Sequence, residues 1–223
     1  MATSTKHSKD QTPQLISYMT LRRLIGYLGI FLPAVLLVGT LIFGHCHQIQ
    51  DSVSEYYYTV MSDIFVGILC AYSIFLITYK GYDTLDNIAS NLAGIFALGI
   101  AFFPTPLKND SCAGMRSLDY TPISSLHFTS ATLFFLTLSY ISYFLFTKTS
   151  GKMSKQKVKR NRVYKICAVI MVISMVVILL FKTIDDINHS LKEYHPVFWM
   201  EWVALSAFGV SWLVKGELLL SDN

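Results

Sequence analysis

The stretch at residues 51–67, DSVSEYYYTVMSDIFVG, contains the change from a polar loop to an apolar helix, and the fold prediction starts from it. It begins with hydroxyls, a carboxylate and three consecutive tyrosines, and it ends inside an apolar run that carries Asp63. A carboxylate is costly in hydrocarbon, so acids in membrane spans usually face the interior of a helix bundle and often have a function. Asp63 is therefore the first candidate for a functional group.

The composition predicts an all-α integral membrane protein whose main partner is the lipid bilayer. Of the 223 residues, 53% are hydrophobic and only 14% are charged, whereas soluble domains carry about 25% charged residues. The sequence contains no zinc-finger spacing, no Gly-rich phosphate loop and no nucleic-acid-binding motif. We therefore expect a membrane bundle that does not bind nucleic acid.

Six apolar runs predict six transmembrane helices in a single domain at 21–216. This domain would follow a polar tail at 1–20 and precede a short tail at 217–223. The third run is short and rich in Gly and Ala, which allows close helix packing, so we expect it in the middle of the bundle. The predicted spans are 24–43, 58–79, 88–103, 124–146, 163–181 and 197–214.

The positions of the basic residues predict the orientation of the bundle. Most Lys and Arg residues lie in the N-terminal tail, the turn at 80–83, the run at 148–162 (KTSGKMSKQKVKRNR) and the C-terminus. Loops rich in Lys and Arg stay on the cytoplasmic side, so both termini are predicted to be cytoplasmic. The run at 148–162 either only fixes this topology or also binds anionic lipid headgroups.

Three ionisable side chains are the candidate catalytic groups: Asp63, His127 and Glu201. Each lies within about two turns of the outer end of a predicted span, so their depths are similar. We expect them to line one outward-opening cavity, because none suits lipid contact. In the alternative, Asp63 is a structural acid bonded to a neighbouring helix and Glu201 is an interface residue beside Trp199 and Trp202.

The candidate ligand-binding residues are Ser54, Glu55, Tyr56 and Thr59. Helical spacing would place Tyr56, Thr59 and Asp63 on one face, as a polar stripe at the outer end of the second span.

Histidines and cysteines supply further candidates. His45, His47, His127 and His195 are candidate ligands for a metal, with zinc as the expected ion, although their spacing matches no strong zinc motif. Cys46 and Cys112 both fall in predicted extracytoplasmic loops, where disulfides persist, so a bridge between them is a further hypothesis.

Several motifs resemble a family of uncharacterised bacterial six-span membrane proteins. They are S-x-S-E-Y-Y-Y-T from Ser52, D-x-F-V-G from Asp63, Y-K-G from Tyr79, and N-L-A-G from Asn91. That family typically has Arg at the position of Ser62. The layout is more distantly similar to Frag1/DRAM/Sfk1-type proteins, which are linked to lipid handling, and to ceramidase-like hydrolases, which bind zinc. The resemblance implies a bacterial inner-membrane location.

Three functions remain open from the sequence. The first is a lipid-interacting membrane protein with a polar pocket that opens outward. The second is a metal-dependent membrane hydrolase acting on a lipid, with Asp63 and His127 among its active groups. The third is a small-solute transporter, although the sequence lacks inverted repeats.

The predicted orientation is testable by cysteine-accessibility labelling. We expect single cysteines introduced at 148–162 to react with a membrane-impermeant maleimide only after the cells are opened, because this run should be cytoplasmic. Labelling of intact cells at these positions would show that the orientation is wrong.

Overall fold

The computed structural model describes residues 13–44, 48–106, 121–149, 151–184 and 190–221, and all regular secondary structure in these ranges is helical. Three short helices accompany the six long ones: a 3-10 helix at Val53–Tyr58, a π-helical turn at Ile141–Leu145 that extends α4, and a 3-10 helix at Lys192–Tyr194. The long helices are α1 (Pro13–Phe43), α2 (Ser62–Thr78), α3 (Thr84–Phe102), α4 (Thr121–Tyr140), α5 (Lys155–Thr183) and α6 (Pro196–Lys215).

Within the described ranges, five helical segments are long and apolar enough to cross a membrane, so the chain is a multi-pass membrane protein embedded in a lipid bilayer. The remaining long helix, α2, is also apolar but has 17 residues. At 1.5 Å per residue it spans about 25 Å, slightly less than the roughly 30 Å hydrocarbon core. The five segments are Tyr18–Phe43, Thr84–Phe102, Ile123–Leu145, Lys155–Thr183 and Lys192–Lys215.

Five of the six long helices begin before their predicted spans, and the differences are largest for α1 and α5. α1 begins at Pro13, inside the predicted tail at 1–20, and continues through Pro33. α5 begins at Lys155, inside the predicted loop at 148–162. Ser154 explains the second difference, because its side chain accepts a hydrogen bond of 3.0 Å from the Lys157 N–H and caps the helix. This cap gives one of the unpaired N–H groups at the start of the helix a hydrogen-bond partner.

The six long helices form a ring in which each packs against its neighbours in sequence and α6 packs against α1. The contacts are extensive between α2 and α3, α3 and α4, α5 and α6, and α6 and α1, sparser between α4 and α5, and sparsest between α1 and α2. The central position predicted for α3 is therefore wrong. Its alanines at 89, 93, 97 and 101 do form a buried face, but Ile88, Leu92 and Ile95 face outward.

Successive helices run in opposite directions, which gives the ring two chemically different ends. The tyrosine end is formed by the helix ends Phe43, Ser62, Phe102, Thr121, Thr183 and Pro196. The basic end is formed by the opposite ends of the same helices, near Arg22, Thr78, Thr84, Leu145, Lys155 and Lys215. Hydrogen bonds tie each end together: Tyr58 donates to the Thr105 carbonyl at 2.6 Å, and Arg23 donates to the Gly216 carbonyl at 2.8 Å.

Lys and Arg side chains of the predicted basic run form ion pairs and hydrogen bonds with other parts of the protein at the basic end. Lys148 forms ion pairs with Asp83 at 2.7 Å and with Asp86 at 2.6 Å. The hydrogen bond from Lys148 lowers the pKa of Asp83. Lys157 and Arg160 donate to backbone carbonyls at 2.9 and 3.0 Å. These bonds give the run a structural role, and its binding of anionic headgroups stays a prediction.

The closest backbone approach that glycine permits in the ring is between α1 and α6. A Cβ atom added at Gly209 would lie 2.5 Å from the Gly26 carbonyl oxygen, which no side chain tolerates without a shift of backbone. Gly29 lies against Gly209 and the Leu205 carbonyl in the same way. Small residues at such crossings allow the van der Waals packing that holds membrane helices together.

We expect Gly209→Ala to lower the thermal stability of the detergent-solubilised protein, because the added methyl group must separate α1 from α6 or strain it, at a cost of about 1–3 kcal/mol. Gly67→Ala is the matched control, since a Cβ at Gly67 meets no atom within 4 Å. Its melting temperature should equal or exceed that of the wild type, because alanine favours helix more than glycine does. Equal melting temperatures for the two variants would contradict the close approach.

Candidate ligand-binding site

A short segment at residues 51–59, here called the tyrosine segment, folds around its own capping interactions. The Ser52 hydroxyl accepts a hydrogen bond of 3.2 Å from the Glu55 N–H, and the Glu55 carboxylate accepts one of 3.1 Å from the Asp51 N–H. This is close to the reciprocal arrangement that a Ser-x-x-Glu sequence makes at a helix start. The serine and the acid of the motif therefore organise the 3-10 helix at Val53–Tyr58.

The tyrosine segment is fastened to the first turns of α6 by three hydrogen bonds. The Phe198 N–H donates to the Asp51 carbonyl at 3.1 Å, and His195 Nδ1 lies 3.0 Å from Asp51 Oδ1. The Glu201 carboxylate accepts a bond of 2.6 Å from the Val53 N–H. The bond to Glu201 is the shortest of the three, and a hydrogen bond to a carboxylate contributes about 1.5–3 kcal/mol. Glu201 therefore anchors the segment.

Most side chains predicted to bind a ligand here pack inside the protein. Glu55, Tyr56 and Thr59 are all buried, and the Tyr56 ring packs against Phe198 with centroids 6.0 Å apart. Burial raises the pKa of Tyr56 to about 12, so its phenol stays neutral at physiological pH. These residues hold the segment in place, and the structure places only Ser54 of the predicted ligand-binding set against a cavity.

A cavity of about 140 Å³ lies beneath the tyrosine segment at the tyrosine end of the ring. All six long helices and the 3-10 helix contribute to its lining, and most of its walls are apolar. Polar groups also line it: Ser54, His127, Thr132, Lys182 and Glu201. The apolar lining comes from Leu32, Phe65, Leu69, Ile100, Phe134, Phe135, Met175, Ile178, Leu179 and Leu205, among others.

Lys182 is an ionisable cavity residue that the sequence analysis missed. It lies in the last turn of α5, and its Nζ is 3.2 Å from the centroid of the Phe128 ring on α4. This geometry is a cation–π contact. A signal was present in the sequence, because Lys182 follows an almost entirely apolar run and ends it at the side of the bundle that carries few basic residues.

His127 and Glu201 share the cavity as predicted, and Asp63 does not line it. Asp63 lies in the first turn of α2 with its side chain exposed, while Tyr56 and Thr59 are buried. The predicted polar stripe is wrong, because the 3-10 helix ends at Tyr58 and α2 begins only at Ser62. The chain direction changes between them, so the helical spacing that the stripe required does not exist.

The metal hypothesis receives no support from the described ranges, where no three His, Cys, Asp or Glu side chains come together. His127 Nδ1 donates to the Phe103 carbonyl at 2.6 Å, which joins the start of α4 to the end of α3. His195 pairs with Asp51 instead. The candidate ligands His45 and His47 and the predicted disulfide partners Cys46 and Cys112 all lie outside the described residues.

No protein-family model, curated protein or solved structure matches this chain. The site is therefore interpreted from its own geometry, and the resemblance to six-span bacterial proteins stays a prediction.

Replacing Glu201 by Gln should loosen the tyrosine segment. The amide oxygen still accepts the Val53 N–H, but loss of the charge weakens the bond by about 1 kcal/mol, so amide hydrogen exchange at 53–55 should become roughly fivefold faster. Glu193→Gln is the control, because Glu193 is exposed on the neighbouring short helix. Unchanged exchange in the Glu201 variant would mean that this carboxylate does not anchor the segment.

Proposed function

We propose that the protein binds the acyl chain of a lipid-like amphiphile in the cavity beneath the tyrosine segment. The observation that carries the proposal is a cavity inside a membrane-embedded ring that combines apolar walls with a small number of polar groups. Lipid ligands have the same division between a long apolar part and a polar headgroup. Ligand sites in general are mostly apolar with a few placed polar groups.

The size of the cavity suits part of a hydrocarbon chain. Its volume of about 140 Å³ is far above the roughly 10–15 Å³ that one water needs, and apolar cavities of similar size take up apolar molecules instead of water. Aromatic and aliphatic side chains from every long helix contact this space. A bound chain would replace empty volume with dispersion contacts and so add to the stability of the ring.

The proposed topology has six spans with both termini in the cytoplasm. α2 completes the six, because a bilayer accommodates a helix a few ångströms too short by local thinning. The basic end then faces the cytoplasm, in agreement with the rule for Lys and Arg. In this orientation the cavity and the tyrosine segment lie in the outer half of the membrane.

Lipid binding is better supported than the two other functions that the sequence left open. Hydrolysis of a lipid by a bound metal needs a ligand set, and the described residues do not assemble one. A transporter of this size would draw support from internal repeats or a broken central helix. Each of the six long helices runs unbroken between its bounds, whereas a cavity with apolar walls is present.

Filling the cavity should prevent lipid binding. Ala131 lines it from α4, and Ala131→Phe would place a ring in the space that the chain occupies. We expect native mass spectrometry of the gently solubilised protein to show a retained lipid on the wild type and at least a tenfold smaller lipid-bound fraction on the variant, because the ring removes most of the roughly 1.5–3 kcal/mol that burying apolar groups supplies. A wild type that retains no lipid, or a variant that retains as much, would refute the proposal.

Ala71→Phe is the matched control for this substitution. Ala71 lies on the exposed face of α2, away from the cavity lining. The same increase in side-chain volume should leave lipid retention unchanged there, because no internal space is filled. A melting curve of each variant separates loss of binding from loss of fold.

A further inference from the structure

We propose that the lipid enters the cavity sideways between α4 and α5 and that Lys182 selects an anionic phospholipid of the surrounding bilayer. This inference rests on the proposed function, since it names the ligand class and the entrance of the same site. Three independent features support it: where the cavity wall is exposed, what lies along the α4–α5 boundary, and where the charges stand.

The exposed part of the cavity wall belongs to two helices only. Thr132 on α4 and Leu179 and Lys182 on α5 are the lining residues whose side chains are exposed, and the other described lining residues are buried or half-buried. Two boundaries of the ring are sparsely packed, α1–α2 and α4–α5, and of these only α4–α5 carries exposed cavity residues, since the described lining residues on α1 and α2 are buried. The cavity therefore communicates with the membrane through a gap between these two helices.

The same boundary continues as an apolar groove toward the basic end. A space of about 400 Å³ lies between α4 with its π-helical turn and the middle of α5. Its lining is almost entirely apolar and includes the small residue Ala168. On α5, Val169 at this groove is thirteen residues from Lys182, or about 20 Å along the helix.

This length is somewhat more than the depth of one lipid leaflet, which is about 15 Å. The hydrocarbon core is roughly 30 Å thick, so a chain that starts beside Lys182 and follows the seam reaches past the middle of the bilayer. A phospholipid can therefore place its headgroup at Lys182 while a chain lies in the cavity or the groove. A soluble peptide partner does not fit a groove at this depth, because its backbone polar groups would lack partners.

The two charges of the site stand at different depths. Lys182 is exposed at the mouth, held over the Phe128 ring, whereas Glu201 is half-buried and bonded to the Val53 N–H. The carboxylate disfavours a phosphate deeper in the cavity, and the ammonium favours one at the mouth. The arrangement therefore orients an anionic lipid with its headgroup outward and its chain inward.

The test measures lipid preference by native mass spectrometry with matched phosphatidylglycerol and phosphatidylcholine of equal chain length. The wild type should bind phosphatidylglycerol about fivefold more tightly, the effect of one favourable lysine near the membrane surface. Lys182→Gln should bind both lipids equally, and Lys182→Arg should keep the preference. Lys165→Gln is the matched control, because Lys165 is also on α5 with its Nζ 5.4 Å from the Tyr143 ring centroid, away from the cavity lining.

The entrance is tested separately by Thr132→Trp, which should block the gap and slow lipid exchange into the cavity at least tenfold, since the indole occupies the passage. Exchange at the wild-type rate would refute the α4–α5 entrance. An anionic preference that persists in Lys182→Gln would refute the headgroup assignment. The headgroup assignment would also be refuted if added inorganic phosphate alone abolished the preference for phosphatidylglycerol, because Lys182 would then be a site for free phosphate. In each of these cases, the proposed function would still stand if Ala131→Phe retained at least tenfold less lipid than the wild type.

Discussion

The hydrogen bond from the Val53 N–H to the Glu201 carboxylate, 2.6 Å long, joins the two parts on which the site depends. It fixes the start of a 3-10 helix to the start of α6, and it satisfies a helix-terminal N–H that no residue of its own helix can reach. The tyrosine segment covers the cavity because it is anchored there. Without this bond the N–H of the buried Val53 would lose its partner, which costs about 1–3 kcal/mol.

The helices of the ring do not all pack equally closely. α1 and α6 approach until the backbone at Gly26 nearly touches Gly209, and this leaves no space between them. α4 and α5 contact each other less, and a groove of about 400 Å³ with an almost entirely apolar lining lies along their boundary. The exposed residues of the cavity wall lie on the same two helices. The cavity therefore has its exposed side where α4 and α5 meet.

The sequence determined the architecture well and the site only partly. Hydrophobic runs identified all six long helices, because the length and apolarity of a span are local properties. The local Ser-x-x-Glu pattern accounts for the 3-10 helix at 53–58, but its attachment to Glu201, 148 residues away, could not be predicted from local spacing. His127 and Glu201 share the cavity because they lie at similar depths on helices that begin at the same end of the ring. The position of Asp63 was not predicted, because the break between Tyr58 and Ser62 removes the continuous helix that the polar stripe required. Lys182 was overlooked because a lysine that ends an apolar run usually marks only the membrane surface.

The tyrosine segment covers the cavity, whereas the proposed entrance lies between α4 and α5. The tyrosine segment is bonded to α6 through Asp51 and Val53, and none of these bonds involves α4 or α5. Movement of α4 against α5 needs no break in those bonds, because neither helix supplies a donor or an acceptor to them. The loose boundary consists mainly of side-chain contacts between apolar groups, which can be replaced by lipid contacts at little cost in hydrocarbon. A lipid can therefore pass between α4 and α5 while the polar end of the cavity stays closed and its hydrogen bonds stay intact.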